Sequence, residues 1–325
     1  MRTGQADTEK PRALIVAGPT ASGKSALALD LAQRWGGTVI NADSMQVYRD
    51  LRVLTARPTP AEEALAPHRL YGVRPAAQPG SAAWWRDAAL AAMAEARDAG
   101  RVPILCGGTF LYFSALTTGL SPIPDPGEAA RTAARALLQE IGPAALHAEL
   151  RHADPQTAAK LRPSDAQRIA RAWEVLSGTG RGLAAWQTAA DDPAPWIFAA
   201  ILLDPPRESL RASIRQRLAL MLEQGVLDEV RALLAQTLDP ALPAMRAHGM
   251  PEFSAYLRGT LTLPEAVRRT ELVTGQYTKR QATWLRHRAL AAPERTHRIN
   301  ARYAGLTQFS GSFLAFCERF MRDSD

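Results

Sequence analysis

The chain has 325 residues, 46% of them hydrophobic, and 39 Lys plus Arg against 32 Asp plus Glu leave a net charge of +7. At roughly 150 residues per domain this length carries about two domains with a large core. No uninterrupted apolar run reaches the ~18 residues of a bilayer-crossing helix, since the best candidate, Trp196 to Leu203, stops at Asp204 and two prolines. Cys106 and Cys317 are too few for a disulfide framework and stand at no zinc-ligand spacing. Residues 1–12 are polar and lack the apolar centre of a secretory signal, so they are expected to be a disordered lead-in to a cytoplasmic protein. From Met245 onward Lys and Arg outnumber Asp and Glu by 13 to 7. This asymmetry suits a polyanionic partner, and equally a plain solvated basic surface.

In chain order, Ala13 to Gly18 is a short apolar run closed by Gly-Pro, the pattern of a buried strand feeding a turn. Ser25 to Trp35 has helical periodicity and ends at Gly36-Gly37, and Thr38 to Ile40 predicts a second strand parallel to the first. Arg57 to Gly80 is Pro-rich and is expected to be irregular. Ala82 to Ala99 predicts a helix, and Val102 to Cys106 a third strand with a Gly107-Gly108 exit. The prolines between Ser121 and Pro126 mark a boundary. Beyond it, Glu128 to Gln187 is Ala-rich, helical in period and broken at Gly142-Pro143, Asp154-Pro155 and Arg162-Pro163. Trp196 to Leu203 reads as a strand returning to the core. The remainder is expected to be helical: Glu208 to Leu222, Leu227 to Gln236, Glu265 to Arg288, and a tail with Phe309, Phe313, Phe316 and Phe320 on one face, which is more often core packing than a base-stacking platform. The expected domains are a core over 13–122 and 196–325, and an inserted helical domain over 123–195.

Gly18-Pro19-Thr20-Ala21-Ser22-Gly23-Lys24-Ser25 fits G-x-x-x-x-G-K-[ST] between a predicted strand and a predicted helix. There the loop amides and helix N-terminus cradle phosphate oxygens, Lys24 reaches an outer phosphate, and Ser25 serves Mg²⁺ or phosphate. The expected fold is therefore α/β, a P-loop NTPase-like parallel sheet flanked by helices with an all-helical insertion. Two acids could stand opposite the loop. Asp43 follows the second strand and could instead cap a turn. Asp204 follows Ile201-Leu202-Leu203 in the manner of a metal-holding acid, or caps the next helix. The third strand ends in Gly107-Gly108-Thr109, where a hydroxyl beside two glycines suits close approach to a ligand.

Six blocks then fall in one order and spacing: GPTASGKS (18–25), ADSMQVY (42–48), TARP (55–58), GGTFLYFSAL (107–116), DAQRIARAWEV (165–175) and KRQATWLR (279–286). In these blocks, spread between about Ala13 and Arg288, the chain closely resembles the tRNA dimethylallyltransferase, or tRNA isopentenyltransferase, family. The resemblance implies transfer of a dimethylallyl group from dimethylallyl diphosphate, with Mg²⁺, to N6 of adenosine 37, 3′ of the anticodon, in tRNAs reading codons that start with U. It implies Asp43 as the base, Thr109 near the reacting centre, and Arg217 with Lys24 on the diphosphate. It further implies tRNA contacts at Asp43, Ser44, Met45 and Gln46, at Thr109 and Arg131, and at Gln167, Arg168, Ile169, Ala170 and Arg171. Arg246, Lys279, Arg280, Gln281 and Arg286 complete that set. An exposed helix charge is the plain alternative for Arg217.

If Glu265 to Arg288 is one helix, Arg268, Lys279 and Arg286 share a face suited to a phosphate backbone. The sequence departs from the family pattern at Met250, His248, Ser213 and Gly72. The expected partners are a tRNA anticodon stem-loop and dimethylallyl diphosphate, engaged by a monomer. The competing readings are a P-loop kinase of a nucleotide or small molecule, a prenyltransferase acting on free AMP, and a non-enzymatic RNA-binding protein switched by nucleotide.

Overall fold

The computed structural model describes residues 10–187, 192–308 and 311–322. Most of the expected lead-in, and Phe309, lie outside them. The chain divides into two compact units, one of residues 118–193 and one of the segments on either side.

In the larger unit, β1 (Arg12–Ala17), β2 (Gly37–Asn41), β3 (His68–Arg69), β4 (Val102–Gly107), β5 (Ile197–Leu203) and β6 (Thr296–Ile299) form one parallel sheet in the order β3-β2-β4-β1-β5-β6. Apart from Arg12 at the start of β1, the central strands β4, β1 and β5 are apolar because helices cover both faces. Alternation then sorts their side chains. Ala13, Ile15, Ala17, Phe198, Ala200 and Leu202 join one core, while Leu14, Val16, Ile197, Ala199 and Ile201 join the other.

The helices are α1 (Lys24–Trp35), α2 (Pro60–Leu65), α3 (Ala82–Asp98), α4 (Phe110–Thr117), α5 (Glu128–Ala153), α6 (Pro155–Ala158), α7 (Ala166–Thr179), α8 (Leu183–Trp186), α9 (Arg207–Glu223), α10 (Val226–Ala235), α11 (Met250–Leu257), α12 (Leu263–His287) and α13 (Gly311–Arg322). Buried residues of α3, α4 and α9 to α12 fill the first core, and those of α1 and α13 the second. The aromatic stripe of the tail packs as core: Phe313 and Phe320 are buried beside Cys317. In the smaller unit α5 to α8 pack on one another. α5 turns sharply at Gly142, where φ is 77°, and Asp154 and Asp165 cap α6 and α7 by accepting from Thr157 N at 3.1 Å and Arg168 N at 3.3 Å.

Three expectations are corrected. The 57–80 stretch is not wholly irregular. Thr59 and Glu62 form a reciprocal capping box, with Glu62 N donating to Thr59 Oγ1 at 3.2 Å and Thr59 N to Glu62 Oε2 at 2.7 Å, and this starts α2 at Pro60 with Thr59 as its cap. His68 and Arg69 then pair with Val39 and Ile40. The C-terminal part is not helical alone, because Thr296–Ile299 adds an edge strand to β5. Two further helices, α4 and α11, follow Thr109 and Gly249 where no helix is predicted.

Trp85 on α3 is wholly buried, stacks on Tyr112 at 4.3 Å, and donates its indole N–H to the Asn41 carbonyl at 2.8 Å. It thus pins the end of β2. Trp85→Ala is expected to lower unfolding free energy by about 3–5 kcal/mol, read as a fall in the urea midpoint at unchanged slope.

Candidate active site

Three neighbouring strands, β2, β4 and β1, end on one edge of the sheet, where open α/β sheets place their ligands. The edge is stitched by backbone: Ala42 N donates to Cys106 O at 2.8 Å and Thr109 N to Ala42 O at 3.2 Å. A Cβ at Gly107 would lie 2.0 Å from Ala42 O, so only glycine admits this approach. After β1 the loop 18–23 turns into α1 through Gly23, whose φ of 89° caps the helix with no side-chain hydrogen bond, leaving first-turn amides for an anion. Ser22 Oγ is buried without a partner among the described residues.

Two distant residues hold this loop. Gln281 of α12 is buried; its amide oxygen accepts from Thr20 N at 2.9 Å and its amide nitrogen donates to Gly108 O at 2.9 Å. Tyr303 donates its backbone N–H to Ser22 O at 3.0 Å and its hydroxyl to Asp30 on α1.

Beside the loop lies a cavity of about 250 Å³. Thr20, Lys24, Ser25, Asp43, Ser44 and Met45 line its sheet side, and Ile214, Arg217, Leu218 and Met221 of α9 form a wall that is apolar apart from one guanidinium. Asp43 is aimed by local geometry. Its N–H donates to Asn41 Oδ1 at 2.9 Å and its Oδ1 accepts from Met45 N at 2.9 Å. The Lys24 ammonium is buried and donates to Pro19 O at 3.5 Å. Burial pulls its pKa below the ordinary lysine value, and Asp43 opposes that pull. Arg217, half-buried, donates through Nη2 to Thr55 O at 2.8 Å. Burial lowers its pKa too, again against the Asp43 charge. Tyr277 is pushed up to about 12, first by burial and then by Asp43. It stays a neutral donor at physiological pH. His248, 4.7 Å from the Tyr277 ring, is shifted down by burial and by Arg280, so it is neutral as well.

The remaining expected site residues separate by environment. Ser44, Met45 and Arg246 line the cavity. Thr109 sits behind it, accepting from Ser44 N at 2.9 Å and donating to Ser44 Oγ at 3.2 Å, so it braces the Asp43 turn. Lys279 and Arg280 are exposed. Gln281 is not free to meet RNA, because both ends of its amide are occupied by backbone. Gln46 also lines the cavity, yet is buried with its amide nitrogen on Thr55 O and Ala56 O. Ile169 is wholly buried in the smaller unit, whereas Gln167 and Arg168 are exposed and Ala170 is partly so. Arg131 pairs with Asp125 and Glu128, and Arg171 with Glu174.

The Thr20 amide, expected to face phosphate, is taken by Gln281. The Arg268, Lys279 and Arg286 stripe is interrupted: Arg286 pairs with Asp204 at 3.3 Å, and Arg268 lies 3.9 Å from Glu265. Asp204 accepts from both Arg286 and Arg298 and leaves α9 uncapped. It is therefore neither the helix cap nor a free metal-holding acid. Arg217 is likewise no ordinary exposed charge.

Residues missed in the sequence are Tyr277 with Thr270 and Thr274, and the apolar wall 214/218/221. Both sets recur at i, i+4 and i+7, a period that marks a buried face without saying that the face borders a cavity. The departures gain physical accounts. Met250 is core, His248 packs on Tyr277, and Ser213 is buried. Gly72 has φ 62°, and a Cβ there would lie 2.2 Å from the Arg57 guanidinium.

No trio of His, Cys, Asp and Glu that could hold a metal ion occurs among the described residues. A divalent ion would rest on the Ser25 hydroxyl, which lines the cavity, and on phosphate oxygens of a ligand.

Such an edge sets a glycine-rich loop of phosphate-binding pattern, a carboxylate and an apolar helix wall around one cavity of an α/β protein with a parallel sheet. The family model described as IPP transferase matches residues 46–288, and the chain belongs to that family. It is 61% identical over 315 residues to the tRNA dimethylallyltransferase of Granulibacter bethesdensis, covering 97% of this chain and 99% of the relative. The tRNA dimethylallyltransferase of Gluconobacter oxydans is 58% identical over 96% of this chain and 94% of its own. Among solved structures, a tRNA isopentenylpyrophosphate transferase from Bacillus halodurans aligns at TM-score 0.68 and 29% identity over 97% of this chain and 98% of its own. A eukaryotic dimethylallyltransferase acting on tRNA aligns at TM-score 0.77 and 25% identity over 94% of this chain and 77% of its own.

Gln281→Ala strips partners from the buried Gly108 carbonyl and the part-buried Thr20 amide and is expected to cost about 1–3 kcal/mol for the buried group left unsatisfied. Urea unfolding measures the loss. Calorimetric titration with inorganic diphosphate is expected to show weaker binding in the folded variant.

Proposed function

We propose that this chain transfers a dimethylallyl group from dimethylallyl diphosphate to N6 of the adenosine 3′ of the anticodon in tRNAs reading codons that start with U, acting as a cytoplasmic monomer. The observation that carries the reading is the Asp43 carboxylate lining the same cavity as Lys24 of the phosphate loop, with Ile214, Leu218 and Met221 as a hydrocarbon wall.

The adenine amino group is a weak nucleophile because its lone pair is delocalised into the ring. As N6 bonds to the allylic carbon, the carbon–oxygen bond to diphosphate breaks and Asp43 takes the N6 proton. The loop amides, Lys24 and Arg217 receive the negative charge that grows on the departing diphosphate, and they stabilise it more in the transition state than in the ground state. Mg²⁺, when bound, neutralises part of that charge as a Lewis acid. The base must leave the anticodon stack first, which costs a few kcal/mol and favours a single-stranded loop. Exposed Lys279, Arg280 and Arg246 are suited to hold the loop's phosphates while it does so.

The kinase reading loses its second acid, since Asp204 is paired with two arginines. Incubation with carbon-labelled dimethylallyl diphosphate and bulk tRNA, followed by nucleoside mass analysis, is expected to give an isopentenylated adenosine. Label in free AMP, a transferred γ-phosphoryl, or RNA binding governed by nucleotide without product would each overturn the reading. Asp43→Ala is expected to reduce kcat roughly 10²–10⁴-fold with tRNA affinity nearly unchanged, compared by single-turnover kinetics and filter binding. Lys279→Ala is expected to reduce the salt slope of tRNA binding by about one unit, a change visible in a log–log plot of affinity against salt.

A further inference from the structure

The cavity wall that carries Arg217 depends on a loop from the other side of the sequence, and one carboxylate outside the cavity holds that loop. Glu229, in the first turn of α10, accepts from three consecutive backbone amides: Arg52 N at 2.7 Å and Val53 N at 2.8 Å on Oε2, and Leu54 N at 2.8 Å on Oε1. Three successive N–H groups turned to one point form an anion-holding nest, and here the protein fills it with its own side chain. At the far end of α10, Gln236 donates to Asp50 Oδ1 at 3.0 Å, so the helix and the loop are joined at two places.

The consequence runs one residue further. Thr55 O, next after the nest, accepts from Arg217 Nη2 at 2.8 Å and from Gln46 Nε2 at 2.8 Å. Ala56 follows at φ 46°, a left-handed backbone that a non-glycine residue keeps only where its surroundings impose it. Arg217 Nε has no partner among the described residues, so Thr55 O is the contact that sets the plane of the guanidinium.

We propose that Glu229 is a positioning residue: by gathering the amides of Arg52, Val53 and Leu54 it fixes the Thr55 carbonyl and thereby aims Arg217 at the donor diphosphate. A helix-dipole role for an acid in a first turn explains neither the three short amide bonds nor the link to Arg217. The proposal rests on the reading in which Arg217 serves the donor.

The test compares wild type, Glu229→Gln, Glu229→Asp, Arg217→Ala and the Glu229→Gln/Arg217→Ala double variant, all confirmed folded by circular dichroism. Glu229→Gln is expected to lower kcat/KM for dimethylallyl diphosphate about 10–100-fold, the scale of a small misplacement at a reacting centre. KM for tRNA should stay within about twofold and Glu229→Asp should recover part of the loss. In the Arg217→Ala background the Glu229 change is expected to have no further effect. Amide exchange at Arg52, Val53 and Leu54 should quicken in Glu229→Gln whether or not the enzyme turns over. Unchanged kcat/KM in Glu229→Gln, losses that multiply in the double variant, or unchanged amide exchange would overturn the inference. Absence of prenyl transfer by the wild-type protein would instead overturn the functional reading on which it rests.

Discussion

A buried ammonium must find negative charge or lose its proton, and the site is arranged around that requirement at Lys24. Asp43 supplies a carboxylate from the end of β2, while the loop that carries Lys24 leaves β1, two strands away across β4. Their proximity is therefore a property of strand order. Gly107 admits the close approach of the β2 exit, and Trp85 fixes the carbonyl that precedes it. In the proposed chemistry the arriving diphosphate adds anionic partners for Lys24, and the same carboxylate is left to take a proton.

The second constraint is the mixed character of the cavity. A diphosphate ester of a five-carbon alcohol is ionic at one end and hydrocarbon at the other, and α9 meets both by placing Arg217 among Ile214, Leu218 and Met221 on one helical face. An arginine can stand in such surroundings because its guanidinium is weakly hydrated and holds its charge through burial. Its contact with Thr55 O replaces part of the lost water.

Much of this was legible in the sequence, and what was not has identifiable physical causes. The phosphate loop, the strand before it and the helix after it announce themselves because turn chemistry and apolar period agree at one place. Asp43 could be named because it ends a strand. The α2 capping box is local and was written in Thr59-Pro60-Ala61-Glu62, whereas β3 and β6 hold two and four residues and exist only through their neighbours. Gln281 illustrates a different limit. Within a motif rich in Lys and Arg its amide suggests a surface role, yet its work is to join Thr20 to Gly108 across 261 and 173 residues of sequence. Arg286 fails as a free cation for a similar reason, since its partner Asp204 lies at the end of another strand. Such pairings between remote segments are invisible to any periodicity.

The hold of Tyr303 on the phosphate loop has a temporal side. Its amide meets Ser22 and its phenol meets Asp30, 273 residues earlier in the chain. Contacts of that separation form late because the long intervening loop must first be closed. A ribosome must therefore release the chain through Tyr303 before the cradle gains these contacts, and a nascent chain cut short ahead of that tyrosine carries every residue of the glycine-rich motif without this brace.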